Sequence, residues 1–452
     1  MSAHFWNDPD HLLHIIIAIL IVDNLWSLYL LLREIRMVYR VVEVPEVISP
    51  YLPQELFERM RKYKLHKSWF TVVNTLVFVI TIGVIELYFG FYAWLWNLAT
   101  KCAVARWMED ETVTSILFIL FLSTYMTIKA LPGHLYERYC IPSVQTKYYP
   151  PLGKRILKEV IEIIIWLMVM IVLVLAIVYG FIAFGNYALL GMYLLSIVFT
   201  IILILIVPLL IDPCIGHRVP LEESALRSEM ERLTEAVGFP IEQVHIIQVN
   251  DPNTGSNAFF YGCCCLKRIV IFDTLLLNRG QRNTSDLLPH EVGKGLRDNQ
   301  VIAVVSHELG HWMHGHFYRA IILFKIHILL TFLLFALSFA HGPIYQAMGF
   351  EPGVQPIIVG FVIMFGFVLT PYTTLANFVL LTNTRHFEYQ ADSFAYELGY
   401  DRDLREALLK LYADNLTYPI TDPCYSCWNH THPTILDRLE RLESLERGGR
   451  FS

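Results

Sequence analysis

Five residues, His307-Glu308-Leu309-Gly310-His311, form an HExxH motif. On a helix His307 and His311 stand four apart, so both imidazoles leave one face a turn apart. That spacing suits two ligands of one tetrahedral Zn2+. Glu308 lies beside them and can act as general base toward a water held at that ion. Such a site needs a third protein ligand and an open position. The best candidate is Glu388, in Arg385-His386-Phe387-Glu388-Tyr389-Gln390-Ala391-Asp392. Glu388 and Asp392 are also four apart, on one face of a segment that looks helical. Asp392 could accept a hydrogen bond from a zinc-bound histidine, fixing its tautomer and raising its basicity. Taken alone, the acidic pair reads equally well as a solvated helix face. His314 falls on the face of His311, yet a fourth protein ligand would close the site, so His314 and His316 read as surface residues or outer partners.

Rigid elements must hold these groups. Asn299 to His316 reads as the helix carrying the motif, with an apolar face of Val301, Val304, Val305 and Leu309. The polar motif interrupts that buried pattern, which is costly unless its residues have a metal or each other as partners. Upstream, Glu222 to Ala236 has helical periodicity. Val244 to Val249 and Arg268 to Phe272, rich in β-branched residues, read as short strands.

The rest of the chain is of a different kind. Its 452 residues are 55% hydrophobic and 17% charged, with mean hydropathy +0.46. A soluble protein carries about a quarter charged residues. Seven apolar runs, at 12–32, 70–97, 113–131, 160–184, 188–211, 319–340 and 355–381, are long enough to cross a bilayer. The N-terminus lacks a basic region and a small-residue cleavage site, so the first run reads as a signal anchor. Basic residues crowd the loops after the first and third runs, including Arg33, Arg36, Arg40, Lys62, Lys154 and Lys158. The loop after the second run holds only Lys101 and Arg106. This bias places the N-terminus in a lumen or outside, and residues 213–317 and the C-terminal tail in the cytosol. The sequons at Asn283, Asn415 and Asn429 then stay unmodified.

Eight cysteines make no convincing disulfide framework: Cys263, Cys264 and Cys265 are adjacent, and Cys424 and Cys427 form a lone CxxC, weak evidence for a second metal. Asp23, Glu86 and Lys325 lie inside apolar runs, where a charge usually faces a bundle interior or a water-filled cavity. Pro371 is expected to kink its helix. The charge run Asp437 to Arg447 reads as a solvated helix face with i,i+4 pairs.

Four stretches together resemble the type I CAAX prenyl endopeptidase family: His307 to Trp312, Phe387 to Asp392, Ser256 to Gly262, and Asp422 to Ser426 continuing to His430-Thr431-His432-Pro433. The resemblance implies seven-span zinc metalloproteases of the endoplasmic reticulum and inner nuclear membranes. Carried over residue by residue, it implies His307, His311 and Glu388 as zinc ligands and Glu308 as base and proton shuttle. Asn257 would hold the substrate backbone near an edge strand, His432 would stabilise the oxyanion, and Arg438 would orient nearby carboxylates. The implied fold is mainly α, a seven-span helical bundle enclosing a hydrated chamber, with a cytosolic gluzincin-type metalloprotease domain containing a small β-sheet.

The expected organisation is 1–212 for the first five spans, 213–317 for a catalytic segment, 318–381 for spans six and seven, and 382–452 for a second catalytic segment. The expected reaction removes the C-terminal tripeptide after a prenylated cysteine. Partners are a prenylated CAAX substrate and membrane lipids, with no nucleic acid, and the chain is expected to be a monomer. A broad quality-control membrane metalloprotease, a translocon-clearing scaffold and a transporter are the rival readings. The chain departs from the family at Tyr139 to Thr146, at His432-Pro433-Thr434, at Arg385-His386 and at Asn250 to Gly255. These departures bear on substrate range and remove no catalytic residue.

Overall fold

The computed structural model describes residues 6–104, 110–141, 144, 152–219, 221, 223–250, 254–262, 267–281, 283–285, 287 and 291–448. Cys263 to Cys265 lie outside them, as do Pro142, Ser143, Gln145 and Thr146 of the segment Tyr139 to Thr146 and Asp251 to Asn253 of the segment Asn250 to Gly255.

Long apolar helices make the membrane part: α1 (Pro9–Arg40), α2 (Gln54–Tyr88), α3 (Phe91–Val104), α4 (Glu111–Tyr139), α5 (Leu152–Phe184) and α6 (Ala188–Ile215). After the soluble segment follow α9 (His316–Phe339), the short α10 (Gly342–Ala347), α11 (Ile357–Val368) and α12 (Thr370–Glu397). Six of these are long and apolar enough to cross a membrane, and the bent pair α11 and α12 makes a seventh. The bend is 63°, and Pro371 sits in the first turn of α12, where its missing N–H costs nothing. The many exposed Leu, Ile, Val and Phe side chains along α5 and α6 are what a lipid-facing surface requires.

One expected span needs correction. The apolar run 70–97 is two helices. Gly90 has φ +62°, a conformation that a side chain would strain, and it ends α2 and packs against Gly349. Hydropathy could not reveal this, because both sides of the break are equally apolar. The intramembrane charges have partners. Glu86 pairs with Lys129 at 2.5 Å and accepts from Tyr125 at 2.6 Å. Asp23 accepts from Thr374, and Lys325 donates to the Ser196 carbonyl at 2.9 Å. Each tie joins two helices.

The soluble segment comprises β1 (Gly216–Val219), α7 (Ala225–Val237), β2 (Val244–Val249), β3 (Ala258–Tyr261), β4 (Arg268–Phe272) and α8 (Asp298–Met313). The strands lie in the order β1-β2-β4-β3, with β2 and β4 parallel and the outer pairs antiparallel. β2 and β4 have the expected bounds. β1 and β3, four residues each, exist only through pairing. β3 is the edge strand implied near Asn257. Leu226, Met230 and Leu233 of α7, Ile246, Ile269 and Ile271 of the sheet, and Val301, Val305 and Leu309 of α8 form one core. α8 is therefore clamped between sheet and α12, and every residue from Gln300 to Gly310 is buried.

The chain ends with α13 (Asp401–Asp414), α14 (Pro423–Asn429) and α15 (Ile435–Glu446). The charge run expected to be solvated is amphipathic instead. Ile435, Arg438, Leu439 and Leu442 point inward, while Glu443 and Arg447 pair outside. The buried face of α15 spans only four residues, too few to stand out against the charges around them.

Candidate active site

α8 presents His307 and His311 one turn apart, as their spacing requires. α12 crosses close beside it because residue 310 is glycine: a Cβ there would lie 2.9 Å from the Ala391 Cα and 3.1 Å from the Phe394 Cβ. This approach brings Glu388 to the two rings. His307 Nε2 and His311 Nε2 are 3.2 Å apart, and Glu388 stands 3.6 Å from the first through Oε2 and 3.4 Å from the second through Oε1. Metal bonds of about 2.0–2.1 Å in a tetrahedron imply edges of about 3.3 Å. The two imidazole nitrogens lie about one such edge apart and Glu388 turns one oxygen toward each, so this donor triangle, with ligand atoms within 4.8 Å of one another, suits a small ion; it is the one such cluster among the described residues.

The outer atoms of the triangle are tied as well. His307 Nδ1 meets Asp392 Oδ1 at 2.9 Å. Asp392, fully buried, accepts from Arg438 Nε at 2.8 Å and Nη2 at 2.5 Å, a bidentate pair. Arg438 Nη1 also lies 3.7 Å from Glu388 Oε2. Burial alone would raise the Asp392 carboxyl, but Arg438 and His307 hold it below the usual carboxylate value. Burial also acts to lower His307, yet its hydrogen bonds to Asp392 and Glu388 outweigh this and carry it up to about 10. His311 lacks a carboxylate on its far side, and burial pushes it down to about 3.

Glu308 points to the sheet. Its Oε2 accepts from the Phe260 amide of β3 at 2.9 Å. Burial raises its carboxyl to about 7, where a general base is most effective near neutrality. Phe260 thus turns its amide away from β4, and Ala258, two residues earlier, faces the same way. The open edge of β3 consequently runs past the motif helix.

His432 stands at the other side of the triangle, 61% exposed, with Nδ1 3.0 Å from Glu388 Oε2. The loop that carries it is anchored to the membrane part. Arg33 of α1 grips both carboxylate oxygens of Asp422 at 3.0 and 3.1 Å. The buried Glu34 accepts from Thr421 Oγ1 at 2.7 Å and from the Asp422 amide at 2.6 Å. Asp422 in turn caps α14 through the Cys424 and Tyr425 amides, and Arg385 donates to the His430 carbonyl at 2.9 Å. A pocket of about 270 Å3, lined in part by Tyr412, Tyr418 and His430, opens beside His432.

The structure thus gathers His307, Glu308, His311, Glu388, Asp392, His432 and Arg438 in one place. Asn257 is exposed immediately before β3, and its carbonyl accepts from the Phe272 amide at 3.0 Å. His316, Gln390 and the Phe260 amide carry contacts that sequence reasoning did not assign. None of these stood out in the sequence: Gln390 lies two residues from both Glu388 and Asp392, which on a helix puts it on another face.

An HExxH helix set beneath six or seven membrane-length helices is the architecture of an integral-membrane metallopeptidase. Comparison with known proteins agrees. Residues 34–217 match the CAAX prenyl protease N-terminal model, described as five membrane helices, and residues 220–446 match peptidase family M48. The chain is similar to the CAAX prenyl protease 1 homolog of Homo sapiens, at 32% identity over 94% of this chain and 93% of that one. It is similar also to CAAX prenyl protease 1 of Saccharomyces cerevisiae, at 28% identity over 89% and 88%. The crystal structure of S. mikatae Ste24p superposes with a TM-score of 0.76 at 26% identity, covering 95% of this chain and 98% of that one. The chain belongs to peptidase family M48. It is a membrane metalloprotease, a hydrolase with a metal cofactor.

Proposed function

We propose that the protein is a zinc-dependent endopeptidase that cleaves prenylated CAAX proteins after the lipidated cysteine and releases the C-terminal tripeptide. The observation that carries this reading is the donor triangle of His307, His311 and Glu388 beside an open strand edge, in a chain whose relatives are named CAAX prenyl proteases. A zinc ion held there would polarise the scissile carbonyl and ease ionisation of a water.

The chain's own residues do the rest. An extended substrate lies along the outer edge of β3, near Asn257, held by backbone hydrogen bonds that tolerate varied side chains. Glu308, anchored by the Phe260 amide, takes the proton of the attacking water and returns it to the leaving nitrogen. His432 donates to the developing oxyanion, and loss of one such donor costs roughly 10²–10³ in rate. Asp392 and Arg438 orient His307 and Glu388.

In this reading residues 1–212 and 318–381 supply the spans and the chamber that receives the prenyl chain, while 213–317 and 382–452 form the cytosolic peptidase. The protein resides in the endoplasmic reticulum membrane as a monomer, with a lumenal N-terminus. The test compares purified wild type with Glu308→Gln, each given a farnesylated CAAX peptide and the same peptide without lipid, with bound zinc measured in both. Zinc in both proteins, with cleavage after the cysteine only by wild type and only of the lipidated peptide, is expected. Equal cleavage of the two peptides would overturn the prenyl specificity in favour of quality-control proteolysis. A wild type without zinc would overturn the cofactor.

A further inference from the structure

His316 lies five residues beyond His311. On an unbroken helix, five residues turn about 500°, which would carry the two rings to different faces. The helix is broken. Gly315 adopts φ +63°, α8 ends at Met313, and α9 begins at His316. The turn folds the His316 ring back under the ligand. His316 Nδ1 stands 2.9 Å from His311 Nδ1, and His316 Nε2 stands 2.9 Å from Gln390 Oε1. The ring is only 4% exposed and stacks on Phe387 with centroids 4.2 Å apart and planes 11° off parallel. The Arg319 guanidinium covers Phe387 at 4.6 Å from its ring centre, and Arg319 Nη1 donates to Gln390 Oε1 at 3.0 Å.

Proton positions along this chain follow once His311 holds a metal through Nε2. Its Nδ1 must then carry hydrogen and donate. His316 Nδ1 is the acceptor, which leaves the His316 proton on Nε2. That N–H donates to Gln390 Oε1, whose second lone pair takes the Arg319 hydrogen bond. Arg319 also decides which way the amide faces, because a Gln390 NH2 turned toward it would meet another donor. Donor and acceptor alternate from metal ligand to guanidinium without conflict.

We propose that His316, oriented by Gln390 and Arg319, is the positioning residue that sets the tautomer and direction of His311, the part that Asp392 plays for His307. The proposal rests on the reading of His311 as a metal ligand. It makes the two histidines unequal: one is backed by a carboxylate held on an arginine, the other by a neutral imidazole.

The test uses the full chain in detergent, with Zn2+ affinity measured by chelator competition and the visible spectrum of the Co2+-loaded protein as a second readout. His316→Leu is expected to weaken Zn2+ binding by about 10–100-fold, the usual cost of losing an outer partner of a metal ligand, and to change the Co2+ spectrum. His316→Asn keeps an acceptor near the Nδ1 position and recovers affinity to within a few-fold of wild type. Gln390→Leu weakens binding where Gln390→Glu, which keeps an acceptor at the same place, does not. This second pair decides the matter if His316→Leu fails to fold. Zn2+ affinity and Co2+ spectrum unchanged in folded His316→Leu, or Gln390→Leu equal to Gln390→Glu, would overturn the proposal. A wild type that binds no Zn2+ would instead overturn the metal-centre reading beneath it.

Discussion

Replacing Asp392 with asparagine removes one charge and almost no volume from a site with no solvent to compensate it. Asp392 is fully buried, and its two oxygens accept from His307 Nδ1 at 2.9 Å and from Arg438 at 2.8 and 2.5 Å. Two costs follow. Arg438, itself buried, loses its bidentate partner, and stranding one member of a buried pair costs about 3–5 kcal/mol. The carboxylate that backs His307 is also lost, which weakens a metal by about 10–100-fold, or roughly 1.4–2.7 kcal/mol. Arg438 has a second acceptor in reach, Glu388 Oε2 at 3.7 Å, and would draw that carboxylate away from His307 and His311. Stability of the metal-free protein and Zn2+ affinity should both fall in Asp392→Asn. The double variant Asp392→Leu/Arg438→Met separates the two effects. It removes the stranded charge, so stability should return toward wild type, while Zn2+ affinity stays low because His307 has no acceptor. Denaturant unfolding in detergent and chelator competition measure the two quantities. Wild-type Zn2+ affinity in the folded double variant, where His307 has no acceptor, would refute the assignment of Asp392 as the partner of His307.

Four further outcomes follow from the same geometry. Glu308→Gln should retain Zn2+ and lose at least about 10²-fold in kcat, as expected for a removed general base. In the metal-free protein Glu308 has a raised carboxyl, about 7 folded against 4.5 unfolded. The folded state therefore holds more protons between those values, and this group's contribution to stability falls by about 3 kcal/mol as pH rises from 4.5 through 7. Glu308→Gln should lack that component, read as the difference in denaturation midpoint between the two proteins across the range. Gly310→Ala should lower Zn2+ affinity despite alanine's better helix propensity, because its Cβ would press into Ala391 and push Glu388 outward; unchanged affinity would mean that α12 yields freely. Asp422→Ala removes the Arg33 pair and the cap of α14, so stability should drop by about 1–2 kcal/mol, and kcat/KM should fall as the His432 loop loosens.

Much of this protein is decided within short stretches of chain. The i,i+4 geometry of a helix alone puts His307 and His311 on one face, and the same rule pairs Glu388 with Asp392. Apolar runs of bilayer length declare the spans, and β-branched stretches declare β2 and β4, because these properties depend on neighbours in sequence. Other features wait on residues distant in the chain. β1 and β3 are four residues long and form only when the sheet offers partners. The second apolar run divides at Gly90 because Gly349 packs there. Whether Glu388 faced solvent or the two histidines could not be read from its own segment. It depended on Gly310, where a Cβ would meet the Ala391 Cα at 2.9 Å and hold α12 off. His316 was open between a surface residue and an outer partner until a left-handed glycine turned it beneath His311, since helix periodicity fails where the helix does. Local spacing determines which side chains share a face. Which faces meet depends on close packing between distant elements, and that packing is settled only when the whole chain has folded.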